Sequence, residues 1–123
     1  MAEKKRVMVL DDEPIVGDRL KPVLEREGFE VEVFTESVSA LARLKEQTFA
    51  VLVTDMKMKG PSGMDVLRHV KEQNPATQVI VITGYATIET HHEAEAWGAA
   101  HFVAKPFKLQ DIARLVVKAA KGA

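Results

Sequence analysis

The chain has 123 residues, no cysteine, and 17 Lys+Arg against 18 Asp+Glu for a formal charge of −1. That length suits one domain with its own core, the missing cysteines exclude disulfides and thiolate metal sites, and the balanced charge gives no general drive toward nucleic acid or anionic membrane. No apolar run nears the ~20 residues of a membrane span, and Asp11-Asp12 cuts short the apolar stretch after the charged start, so a single cytoplasmic domain over residues 1–123 is expected.

Arg6–Leu10 contains Val7-Met8-Val9-Leu10, a continuous apolar run of the kind found in strands covered on both faces. Val16, Leu20, Val23 and Leu24 then form a helical stripe ending near Gly28, and Pro22 inside it predicts a bend. Glu30–Phe34 alternates polar and apolar residues, as a sheet edge with one wet face does. Ser37 is positioned to cap a second helix with Leu41 and Leu44 inward. Ala50–Thr54 is the next apolar strand. Ser62 and Asp65 form a capping-box pattern ahead of Val66, Leu67 and Val70, and Asn74-Pro75 stops that helix.

Gln78–Thr83 carries Val79-Ile80-Val81-Ile82, a third continuous apolar run. The helical stretch Thr87–Trp97, closed by Gly98, has a thin stripe of Ile88, Ala94 and Trp97, with Trp97 expected as a partly buried anchor. His101–Ala104 reads as the last strand, and Leu109, Ile112, Val116, Ala119 and Ala120 mark the last helix. Leu115 and Val117 flank that stripe and suit the core or a partner's contact equally. Strands alternating with helices at this spacing imply right-handed crossovers, hence a doubly wound α/β fold with a five-stranded parallel sheet and helices on both faces. The pattern leaves strand order open.

Ligands of open parallel sheets bind beyond the carboxyl ends of the strands. Asp11-Asp12-Glu13 follows the first strand, Asp55 the third, Thr83-Gly84 the fourth and Lys105-Pro106-Phe107 the fifth. Crowded carboxylates repel one another by about 4 kcal/mol per pair at ~4 Å and an effective dielectric near 20. A hard divalent ion such as Mg²⁺ relieves that repulsion while keeping positions open for water and phosphate. A carboxylate nucleophile, a metal, a lysine and a hydroxyl together make an acyl-phosphate site.

The ordered set Asp11-Asp12, Asp55, Thr83 and Lys105-Pro106 resembles the receiver domain of two-component response regulators, over about residues 7–120. The stretch Ile82-Thr83-Gly84-Tyr85-Ala86-Thr87 is similar to receivers of transcriptional activators that work through an ATPase module. The resemblance implies a flavodoxin-like sheet of order 2-1-3-4-5 and Asp55 as phospho-acceptor from a sensor histidine kinase, a phosphotransfer protein or a small acyl phosphate. It implies Mg²⁺ held by Asp12, Asp55 and the backbone carbonyl of Lys57, with Asp11 acting through water. It implies a cis bond between Lys105 and Pro106, with Lys105 and Thr83 serving the phosphoryl group. Thr83 and Phe102 would be the switch pair, and an output domain or a second copy would read the face of the fourth helix, fifth strand and fifth helix. No enzyme is implied beyond self-catalysed transfer and slow self-hydrolysis.

Three departures from the family pattern stand out. Asp55-Met56-Lys57-Met58 runs into Lys59-Gly60-Pro61 where many receivers have Met-Pro, although Gly63 is kept. Phe102 stands where tyrosine is common, and Lys108 opens the last helix where an acidic or small cap is commoner. Among other functions, a haloacid-dehalogenase-like phosphatase needs an aspartate where Lys57 stands. A nucleotide-binding module needs a glycine-rich turn where Asp11-Asp12-Glu13-Pro14 stands. A degenerate receiver acting only as an interaction domain is the remaining alternative, against which the intact acid set weighs. His91 and His92 point about 100° apart on a helix, so the histidines read as a solvated face, with His91 and Glu95 as a helical pair.

Overall fold

The computed structural model describes residues 4–122, in which five strands alternate with five helices. In chain order these are β1 (Arg6–Leu10), α1 (Pro14–Arg26), β2 (Glu30–Phe34), α2 (Ser37–Glu46) and β3 (Val51–Asp55). There follow α3 (Gly63–Gln73), β4 (Gln78–Thr83), α4 (Ile88–Ala96), β5 (His101–Ala104) and α5 (Leu109–Lys121). The strands pair in parallel in the order β2-β1-β3-β4-β5. The fold is thus the flavodoxin-like doubly wound sheet expected above. None of the described helices is long and apolar enough to cross a membrane.

Strand residues alternate between two cores, as the two-residue period of a strand requires. Val7, Val9, Val51, Val53, Ile80 and Ile82 join Leu20 and Leu24 of α1 and Ile112 and Val116 of α5. Met8, Leu10, Leu52, Val79 and Val81 face Ala40 of α2, Leu67 and Val70 of α3 and Ala94 of α4. Continuous apolar runs therefore occur because both faces are covered. Leu115 and Val117 are half-buried against the first core.

Local chemistry explains most boundaries. Ser62 accepts from the Asp65 amide while the Asp65 carboxylate accepts from the Ser62 amide, the reciprocal box expected for α3. Thr87 and Thr90 do the same for α4. α1 runs unbroken as helix through Pro22, and Lys108 caps α5 without a side-chain hydrogen bond.

Four expectations need correction. Glu36, not Ser37, takes the extended N-cap conformation of α2, so Ser37 lies inside the helix with its Oγ buried and without a hydrogen-bond partner. β3 is shifted one residue, starting at Val51 and including Asp55. Ile88 is 77% exposed and contributes nothing to a core; Ala94 is the buried residue of α4. Trp97 is more exposed than a core anchor, at 42%, and the Arg68 guanidinium lies 4.4 Å above its ring.

Candidate functional site

The sheet's winding reverses between β1 and β3, because the chain moves to β2 on one side of β1 and to β3 on the other. Leu10 pairs with Thr54, so Asp11 and Asp55 sit side by side where these strands end. Asp55 in turn pairs with Ile82, and Thr83 with Ala104, which brings Thr83 and Lys105 onto the same rim. Backbone bonds hold these ends in place: Met56 N–H donates to Ile82 O at 3.1 Å, and Lys105 N–H to Thr83 O at 2.8 Å. The Lys105–Pro106 peptide is cis.

Gly63, the first residue of α3, presses directly on the end of β3. A β-carbon there would lie 1.8 Å from the Asp55 carbonyl oxygen and 2.8 Å from Met56 Cα. The Gly63 N–H donates to Met56 O at 2.9 Å. Only glycine permits this approach, so the residue shapes the end of β3 from outside the chemistry.

Asp11, Asp12 and Asp55 each offer a carboxylate oxygen within 4.8 Å of the others. Asp11 and Asp55 are buried and Asp12 is exposed. At an effective dielectric near 20, each pair at that separation repels by about 3 kcal/mol. Lys105 offsets part of this: its Nζ lies 2.8 Å from Asp11 Oδ2, 3.0 Å from Glu13 Oε1 and 3.2 Å from Asp55 Oδ2. Burial alone would lower the Lys105 pKa, but contacts with Asp11 and Glu13 reverse the sign and hold the ammonium well above the ordinary lysine range. Burial pushes the Asp11 carboxyl above its usual range, against the opposing pull of Lys105 and the Glu13 amide. Asp11 Oδ2 is buried, with the Lys105 ammonium beside it at 2.8 Å.

This crowded, oxygen-only donor set fits a hard cation. Asp11, Asp12 and Asp55 are the group among the described residues arranged to hold one. Lys57 follows β3 in the adjoining loop, its N–H 3.4 Å from Asp55 Oδ1. Its ammonium lies 4.0 Å over the Tyr85 ring, so the residues two past Asp55 and two past Thr83 meet at the site's edge.

Thr83 is fully buried, and its Oγ1 accepts from the Tyr85 N–H at 3.0 Å. The hydroxyl thus steadies the strand end and keeps its own proton for another acceptor. Phe102 stands apart from the acids, half-buried on β5 and stacked on His91 of α4. Sequence reasoning missed two partners. Glu13 was visible only as a third acid in a row, and its contact with Lys105 spans 92 positions. His91 does pair with Glu95 at 3.2 Å, but it also meets Phe102, which helical spacing alone does not reveal.

The family model described as response regulator receiver domain matches residues 7–117. The response regulator receiver protein CpdR of Brucella abortus (strain 2308) is 31% identical over 114 residues, 93% of this chain and 95% of that protein. Other curated relatives are longer, and the chain spans 60% of one and 45% of another. A CheY-like receiver domain protein from Methanospirillum hungatei JF-1 superposes with a TM-score of 0.92 at 27% identity, covering 97% of this chain and 95% of that one. The beryllofluoride-activated NtrC4 receiver domain dimer matches with a TM-score of 0.88 at 33% identity, over 94% of this chain and 96% of that one.

Proposed function

Because this chain belongs to the response regulator receiver domain family, we propose that it is the phospho-accepting switch of a two-component relay, with Asp55 as acceptor. The observation that carries the reading is the convergence of Lys105 Nζ on Asp11, Glu13 and Asp55 at the winding reversal. A carboxylate oxygen of Asp55 attacks phosphorus. The phosphorus–nitrogen bond of a phosphohistidine donor, or the phosphorus–oxygen bond of a small acyl phosphate, breaks, and the donor leaves with that electron pair. The product is an aspartyl phosphate.

Each neighbour has a part. Lys105 already reaches Asp55 Oδ2, so a short movement of its ammonium meets a phosphoryl oxygen. The Thr83 hydroxyl donates to another such oxygen. Asp12, Asp55 and the Lys57 carbonyl would hold Mg²⁺, with Asp11 acting through water; when bound, the ion neutralises charge on the phosphoryl oxygens. The donor is a sensor histidine kinase or a phosphotransfer protein.

Movement of Thr83 toward the new oxygens frees space beside β4, and Phe102 turns inward to fill it. α4 responds, because one buried residue, Ala94, is little to hold it. The α4–β5–α5 face then engages an output domain or a second copy. The dimer named for activated NtrC4 supports the second copy as one reader. In the test, the chain is incubated with a small acyl phosphate, with Mg²⁺ or with chelator. Labelling should require Mg²⁺, and a metal titration should lose more affinity in Asp12→Ala than in Asp11→Ala. Labelling at the same rate in chelator would refute the metal's part, and equal losses would refute the ligand assignment.

A further inference from the structure

We propose that His91 is a latch on Phe102, holding the ring in its half-buried position against α4 and so setting how readily the switch is thrown. The inference rests on the reading of Asp55 and Phe102 just given, and adds a residue to it. The two rings are nearly parallel, 9° apart, with centroids at 4.9 Å. That is the offset-stacked range that aromatic rings prefer. Glu95, one turn on, places a carboxylate oxygen 3.2 Å from the imidazole Nε2. The Thr87–Thr90 capping box anchors the turn before it. The adjacent His92 ring sits 6.5 Å from that of His91 and tilts by 44°, so it does not share the stack.

The contact matters because α4 has so few others. Apart from Thr90 and Ala94 every residue of α4 is exposed, His91 included, and only Ala94 enters the core. His91 is thus the side chain through which α4 grips the ring of β5. The two rings line one open cleft with Glu95, Ala99, Ala100 and His101, and the small alanine side chains offer the Phe102 ring little other contact on that side. A Phe102 ring cannot both lie on His91 and turn inward. The stack therefore belongs to the unphosphorylated state, and breaking it is part of what activation must overcome.

A ligand that selects the inward state binds in proportion to how much of that state is already present. A stack of this type shifts such an equilibrium by a factor of about 2 to 12. The probe is beryllofluoride with Mg²⁺, titrated against the 123-residue chain carrying labelled phenylalanine and followed by NMR. His91→Ala should bind the probe about 2- to 12-fold more tightly than wild type. Its Phe102 ring signals, before any probe is added, should already lie part-way toward their bound positions. His91→Phe, which restores a stacking face, should return both readings toward wild type. Equal or weaker binding by His91→Ala, with unmoved Phe102 signals, would overturn the latch.

Failure of the underlying reading looks different: the wild-type Thr83 amide would not respond to the probe at all. The latch is then judged on the probe-free protein. A ring-current shift of the His91 protons that disappears in Phe102→Leu upholds the stack as the hold of α4 on β5, and one unchanged by that substitution overturns it.

Discussion

A methyl group added at Gly63 should displace the end of β3 without touching the Asp55 carboxylate. The alanine Cβ would fall 1.8 Å from the Asp55 carbonyl oxygen, 2.7 Å from the carbonyl carbon and 2.8 Å from Met56 Cα. All three are backbone atoms, so no side chain can swing away. Ordinary contact begins near 3.4 Å, which asks β3 and the start of α3 to separate by about 1.6 Å. Overpacking of this kind costs ~1–3 kcal/mol, and stretching the Gly63–Met56 hydrogen bond removes about 1 kcal/mol more. Helix propensity works the other way, favouring alanine by up to ~1 kcal/mol. The net expectation for Gly63→Ala is a loss of about 1–3 kcal/mol in urea unfolding under metal-free conditions. Because a misplacement near 1 Å can cost ~100-fold in rate, labelling by a small acyl phosphate should slow by roughly 10- to 100-fold. Gly84 is the control for stability: nothing lies within 4 Å of its added Cβ, and Gly84→Ala should unfold close to wild type. A Gly63→Ala protein that is as stable as wild type and labels at the normal rate would refute the argument.

Thr83→Ala should still take a phosphoryl group at Asp55 yet lose the accompanying NMR shifts in α4; wild-type shifts there would break the proposed coupling. Lys57 and Tyr85, each two residues past a rim residue, meet as a cation–π pair, and neither offers a carboxylate or amide to orient water. Tyr85→Ala should therefore speed decay of the aspartyl phosphate, and an unchanged half-life would place Tyr85 off the water's path. Glu32 accepts from Arg43 at 2.7 and 2.9 Å, and that pairing holds its carboxyl below the ordinary glutamate value of 4.5. Its folded pKa is depressed, so the stabilisation is complete above the unfolded value and is lost as pH falls through the folded one. Glu32→Gln should lower the unfolding midpoint modestly at pH 7, and the difference should close in acid; a gap that persists there would mean that packing, not charge, carries the effect.

Most of the fold was legible because covered strands leave a plain mark. Val51-Leu52-Val53 and Val79-Ile80-Val81-Ile82 are apolar on alternate sides because helices lie on both faces. The rim was legible too, since Asp11, Asp55, Thr83 and Lys105 each follow such a run. Ser37 misled because a serine at a helix start suits a cap, whereas the chain leaving β2 puts Glu36 in the extended cap conformation and turns Ser37 inward. Ile88 misled because α4 is fixed by its capping box and by His91 on Phe102, not by an apolar stripe. Contacts such as Lys105 with Glu13 depend on where loops from opposite ends of the chain meet, and no local period encodes that.

The most direct measurement of the central claim is peptide mapping by mass spectrometry after labelling with Mg²⁺ and a small acyl phosphate. The expected result is one phosphoryl group on Asp55, absent from Asp55→Asn while that variant keeps its fold. Full labelling of Asp55→Asn, or a phosphoryl group mapped to Asp11 or Asp12 in the wild-type chain, would contradict Asp55 as the acceptor.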